Sequence, residues 1–218
     1  AGTFGSTTAA TSSGALAGGD LASGIRSLSL DPQSGALFYV TPQQNAYGSL
    51  GMSASFSGGK PAQLFASSLE SWRPYLAGGQ MYLAQTAADG VPGYAYAVSK
   101  TGAMSEVVGP IDGLTILPDP SEAAMLYSAS GSAGLTLYAR VGNSPAIALP
   151  VRTVADKCVW LPGKSLLAYC AVPADSSDPQ FLDDWYQGAL HTADSFWQID
   201  ASAGTAQQIY TPTQSLDV

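Results

Sequence analysis

The stretch Ala174–Asp194, ADSSDPQFLDDWYQGALHTAD, gathers residue types that can do chemistry. It holds Asp175, Asp178, Asp183, Asp184 and Asp194, together with His191, the single histidine of the chain. Hard carboxylate oxygens in a flexible loop can hold a calcium ion, although the spacing departs from the EF-hand pattern. A Ser-His-Asp triad would have to use His191, with Asp194 or Asp184 as its orienter. Asp183 and Asp184 are adjacent, so in an extended segment they point apart, which is poor geometry for a carboxylate pair flanking one bond. Phe181, Trp185 and Tyr186 suit a contact surface, because buried aromatics carry much of the energy of protein interfaces. The candidate binding residues are therefore Phe181, Asp183, Asp184, Trp185, Tyr186 and His191. No catalytic set emerges. The chain has no G-x-S-x-G elbow and no phosphate-cradling G-x-x-x-x-G-K. Two cysteines and one histidine without C-x-x-C spacing give no structural zinc set, and no cofactor is expected.

Composition narrows the partners. The net charge is −8, and the eight Lys and Arg residues are scattered, which disfavours binding along a nucleic-acid backbone. No run of 18 apolar residues is present, so no transmembrane span is expected within this chain. Residues 1–24 are Gly, Ala, Ser and Thr with few large apolar groups, and read as a low-complexity linker or a loosely attached strand. They lack the basic start and apolar core of a signal peptide, so either the protein is cytosolic or a targeting segment lies outside this numbering. Cys158 and Cys170 bear on that choice. They flank a predicted hairpin at a spacing that suits a cross-strand disulfide, with the hairpin centred on Lys164. A disulfide favours an extracytoplasmic compartment, periplasmic, cell-surface or secreted; two buried free thiols are the alternative.

The elements that must position the 174–194 stretch show a repeat. Tyr39, Tyr82, Tyr127 and Tyr169 each sit in a short apolar run, at intervals of 43, 45 and 42 residues. A fixed period near 44 marks a repeat architecture. Each period offers four short strands between Gly- and Pro-rich breakers, such as IRSLSL, ALFYVT, YGSLGMSASF and PAQLFA in the first. The second strand of each period is continuously apolar, which implies burial on both faces. The expected fold is all-β, a β-propeller of about four four-stranded blades spanning 25–69, 70–112, 113–155 and 156–211. The tyrosines are expected at equivalent positions on successive second strands, buried between blades with their hydroxyls partnered.

IRSLSLDPQSGALFYVT, GLTILPDPSEAAMLYSAS and CVWLPGKSLLAYCAV resemble the TolB-like, WD-repeat-like propeller blades of bacteria. The resemblance covers about residues 25–211, with AGG where the turn motif of the second repeat should stand. KCVW, YCAVP, DDWYQG and FWQID are also similar to a group of exported bacterial propellers of uncharacterised activity. The resemblance implies fold and export, and carries over no catalytic residue. It also implies more blades than four: the next aromatic marker would fall past Val218, and LDV reads as the first strand of a further blade. The chain is expected to be part of a larger propeller, or to close by using its N-terminal segment.

In a propeller, the connection holding the insertion shares a face with the blade-to-blade links, so Glu70, Arg73, Asp112 and Asp156 should rim the same face as Trp185. The favoured reading is a non-catalytic, exported binding or scaffold propeller that recognises a protein, peptide or glycan through that face. The alternatives are a hydrolase or lyase acting on a polysaccharide or peptide, and a surface-assembly module whose open blade edge pairs with another chain.

Overall fold

The computed structural model describes residues 23–44, 47–57, 59–163 and 166–218. Most of the 1–24 linker, and Lys164 at the centre of the fourth hairpin, lie outside them. The described strands form four four-stranded antiparallel sheets, each built from consecutive strands. Blade one holds β1 (Ser27–Asp31), β2 (Ala36–Pro42), β3 (Ser49–Ser55) and β4 (Ala62–Ser67). Blade two holds β5 (Trp72–Ala77), β6 (Gln80–Gln85), β7 (Pro92–Val98) and β8 (Met104–Asp112). Blade three holds β9 (Thr115–Pro118), β10 (Ala124–Gly131), β11 (Gly134–Val141) and β12 (Ile147–Ala148). Blade four holds β13 (Cys158–Trp160), β14 (Leu167–Pro173), β15 (Asp194–Asp200) and β16 (Thr205–Tyr210). The all-β propeller architecture read from the sequence is the one observed.

Blades stack face to face, and each joint is an apolar cluster with a polar cross-link. Phe38, Val40 and Phe65 of blade one meet Trp72, Met81, Leu83 and Val98 of blade two, and Leu76 N donates to Ser29 Oγ at 2.8 Å. Ala84, Ala95 and Val108 of blade two meet Ile116, Met125 and Tyr127 of blade three, and Arg140 donates to Val107 O at 2.6 Å. Leu126, Leu137 and Ala139 of blade three meet Trp160, Ala168, Cys170 and Ile199 of blade four, and Trp160 Nε1 donates to Leu117 O at 3.1 Å. Each such aliphatic or aromatic side chain contributes about 1.5–3 kcal/mol when fully buried.

The tyrosine register needs one correction. All four tyrosines fall on second strands, but they do not share a face. Tyr39 alternates with Phe38 and Val40, which pack on blade two, so Tyr39 faces the other way. Tyr82 packs toward blade three, whereas Tyr127 packs back toward blade two. Tyr169 alternates with Ala168 and Cys170, which pack on blade three, so it faces forward. The cause is the pleat: one residue more or less in the preceding hairpin turns a side chain to the opposite face. The expected hydroxyl partner also fails at Tyr39, whose buried Oη has none among the described residues.

The Cys158–Cys170 bond is present. The two residues are direct cross-strand partners on β13 and β14, with Cα atoms 4.1 Å apart. We expect thiol titration of the denatured, unreduced protein to find no free thiol. Replacing both cysteines with alanine should cost about 2–4 kcal/mol in a urea titration, because the bond restricts the unfolded chain.

Candidate functional site

The insertion joins β14 to β15, and it is not the plain loop its sequence suggests. Residues Phe181–Tyr186 form a short helix, α1. Its entry is set by Asp178, whose Oδ1 accepts from Gln180 N at 2.9 Å and whose carbonyl accepts from Phe181 N at 3.1 Å. Asp183 and Asp184 lie in the first turn, where the exposed amide ends favour negative charge. Gly188, at φ 71°, adopts the left-handed conformation that ends a helix, which other residues adopt only with strain. Six residues are too few to show a helical period, so pattern reading could not detect α1.

Two contacts lock α1 across three blades. Phe181 and Leu182 are fully buried against Ala87 of blade two, Leu135 of blade three and Val154 of the link to blade four. Asp183 N donates to Asp89 Oδ2 at 2.9 Å, and Asp89 N donates back to Asp183 Oδ1 at 3.3 Å. Ser130 Oγ donates to the other Asp89 oxygen. Phe181 is thus an anchor of the platform, and it presents nothing to a partner.

The blade-three to blade-four link supplies the charges. A 3-10 turn over Ala155–Lys157 is pinned where Ala155 N donates to Thr115 Oγ1 at 3.0 Å. On one side of the turn, Asp156 accepts from Arg73 and from Tyr186 Oη at 2.5 Å. Arg73 also donates to Tyr186 Oη at 3.0 Å, and its guanidinium lies 4.7 Å from the Tyr186 ring centroid. Burial works against the Arg73 charge, but the Asp156 carboxylate outweighs it and binds the guanidinium proton more tightly than usual. Burial, and then the Asp156 charge, push the Tyr186 hydroxyl well above the usual phenol range, so it stays a donor.

On the other side, the Lys157 side chain is completely buried. Its three N–H donors are shared among four acceptors: Asp194 Oδ2 at 2.8 Å, Thr192 Oγ1 at 2.9 Å, Asp217 Oδ1 at 3.1 Å and Val218 O at 2.7 Å. Nζ also lies 4.5 Å from the Trp185 ring centroid. Asp217 is held further by Thr192 Oγ1 at 2.7 Å and Trp185 Nε1 at 3.2 Å. Burial raises the affinity of Asp217 for a proton, but these hydrogen bonds outweigh it and hold the carboxyl well below the usual carboxylate range. The segment expected to begin a strand, Leu216–Val218, forms none. It docks on the insertion instead, with Asp194 N donating to Leu216 O at 2.9 Å and Val218 N to Asp194 Oδ2 at 3.0 Å.

Of the candidate residues, Trp185 and Tyr186 are half-buried and engaged as described. Asp184 is half-buried beside them. His191 is 82% exposed, and its Nδ1 lies 3.3 Å from Asp217, not from Asp194 or Asp184. Arg73 and Asp156 do share the face of Tyr186, whereas Glu70 pairs with Arg26 at 3.1 Å. The insertion aspartates do not converge: among the described residues no three His, Cys, Asp or Glu side chains come together as a metal set. Sequence reasoning missed Lys157, Asp217, Asp89, Thr192 and Ser130. Each is tens of residues from its partner, and no local pattern marks it.

No protein-family model matches the chain, and no curated protein matches it in sequence. Solved structures do. An oligogalacturonate lyase in complex with manganese superposes at TM-score 0.59 with 13% identity, over 88% of this chain and 54% of that one. The β-propeller domain of the Trilobed protease from Pyrococcus furiosus, described as having an open velcro topology, gives TM-score 0.54 with 8% identity, over 86% and 57%. TolB from Acinetobacter baumannii gives 0.52 with 12% identity, over 88% and 45%. The fold is that of a TolB-like β-propeller. At these identities the likeness is one of fold, and the chain spans about half the length of the propeller structures it matches. Among the described residues of this propeller, no helix is long and apolar enough to cross a membrane.

Two outcomes test the charge network. Lys157→Met leaves Asp194 buried without its cation and should cost about 3–5 kcal/mol by urea titration, with part of the loss restored by adding Asp194→Leu. Asp217 is depressed in the fold, so its contribution is complete above the unfolded carboxylate value of about 3.9 and is lost as pH falls toward its folded value. The melting temperatures of the wild type and Asp217→Asn should therefore differ most at neutral pH and converge in acid.

Proposed function

We propose that the chain is a non-catalytic binding or scaffold propeller, exported from the cytoplasm, that recognises a protein, peptide or glycan through the face carrying residues 174–194. The observation that carries this reading is the locking of α1 across blades two, three and four by Phe181, Leu182 and the Asp183–Asp89 pair. A rigid platform lowers the ordering cost of binding. Its outer surface, Gln187–Ala189 and His191, is open to solvent. Four of the five insertion aspartates are engaged in holding structure: Asp183 with Asp89, Asp194 with Lys157, Asp175 with Ser177, and Asp178 with Gln180. The disulfide supports an oxidising compartment.

The test separates support from contact. Replacing Trp185 and Tyr186 with alanine should lower the melting temperature, because Asp156, Arg73 and Lys157 lose partners. Replacing Gln187 and His191 with alanine should change stability by no more than about 0.5 kcal/mol. The same change should weaken, at least tenfold, binding to whichever member of a peptide or glycan array the wild type retains. Unchanged binding in Gln187→Ala/His191→Ala would move recognition off this face.

A further inference from the structure

Residues 211–218, which follow β16, belong to no strand and none of them is buried. Leu216 and Val218 are 44% and 51% exposed, so apolar burial contributes little to their placement. Among the described residues, no backbone hydrogen bond ties 211–215 to the blades. The segment is held at one point, the tripeptide Leu216–Val218, and there almost wholly by polar contacts.

Those contacts are the ones a peptide ligand makes in a pocket. Asp194 N donates to Leu216 O, and Val218 N donates to Asp194 Oδ2. Between these two bonds the Asp217 Oδ1 accepts from Lys157 Nζ, Thr192 Oγ1 and Trp185 Nε1, and its Oδ2 lies beside His191 Nδ1. Lys157 Nζ also reaches Val218 O. The backbone bonds set the register of the segment, and the carboxylate donors select the aspartate. Charge-assisted bonds of this kind are the strong ones.

The pocket is built without the segment. Lys157 is placed by the pinned 3-10 turn and by its bond to Asp194 on β15. Trp185 is placed by α1, over Lys157 and 5.1 Å from the Tyr186 ring. Asp194 opens β15 opposite Pro173 of β14. Its Oδ1 is buried without a partner among the described residues, so the segment leaves part of the pocket unsatisfied.

We infer that this pocket is a recognition site for a peptide bearing an aspartate, and that Leu216–Val218 occupies it as an internal stand-in that such a peptide displaces. The inference rests on the reading of the insertion face as a recognition surface, and it names the ligand class. Because the Leu216 and Val218 side chains stay largely in solvent, the aspartate carries the selectivity and its neighbours do not. A tethered segment competes at an effective concentration on the order of millimolar. The intact chain therefore binds a free peptide weakly, and releasing the segment uncovers the full affinity.

The probe is a fluorescent peptide of sequence TQSLDV, blocked at both ends, read by anisotropy against the full chain. Asp217→Lys sets one cation against another and expels the segment. Its fold is checked by circular dichroism and a cooperative melt, and Asp217→Asn is the milder second variant. Both variants should bind the probe about tenfold more tightly than the wild type, or better. The same peptide with asparagine in place of the aspartate should bind about tenfold more weakly. Adding Thr192→Val to either variant should remove the gain. No binding by either variant overturns the inference, as does equal binding of the asparagine peptide or a wild type that binds as tightly as the variants. A probe that fails while array binding still responds to Gln187→Ala/His191→Ala strikes the pocket alone; loss of both strikes the insertion face.

Discussion

The structure rests on sheets that are apolar on both faces. A strand such as β10, with Met125 and Tyr127 turned one way and Leu126 the other, has no solvent side. It must be sandwiched, and the stable solution for four-stranded sheets of this kind is radial stacking around an axis. Each joint depends on the pair of faces that form it, so stability accumulates locally, neighbour by neighbour.

The insertion adds a buried charge network to that scaffold. Blade stacking leaves the link residues Asp156 and Lys157 side by side at the start of the innermost strand. Neither can be buried without a partner, because an unpaired ion in a low dielectric costs several kcal/mol. The helix brings Tyr186 to Asp156 and Trp185 to Lys157. The aromatics thus complete the coordination of charges and fix the helix in one place. Their task in the fold is support, and the groups left open to solvent beside them are Gln187–Ala189 and His191.

The fold was legible because its signals are local and repeated. Strand positions follow from apolar runs and breakers: in the first period IRSLSL, ALFYVT, YGSLGMSASF and PAQLFA overlap β1 to β4, with ends shifted by a residue or two. The disulfide was legible for a related reason: the hairpin fixes which residues face each other, and Cys158 and Cys170 do. The face of each tyrosine was not legible. The period of 42 to 45 residues locates a strand, whereas facing depends on single-residue differences in each hairpin, to which a repeat count is blind.

The sequence by itself determined the architecture and the place of the insertion, since each depends on short-range pattern, and it set Cys158 and Cys170 opposite each other, with the bond itself seen in the structure. It also placed Arg73 and Asp156 on the face of the insertion, through the connectivity of a propeller. Only the tertiary structure decided the rest. The burial of Lys157 among Asp194, Thr192 and Asp217, the reciprocal bonds of Asp89 and Asp183, and the docking of Leu216–Val218 join residues 22 to 94 positions apart. Such contacts leave no periodic trace, because a long-range pair constrains two positions in space and nothing between them. Phe181 shows the same limit: an aromatic in a long loop reads as a contact residue until the surrounding Ala87, Leu135 and Val154 show that it is core.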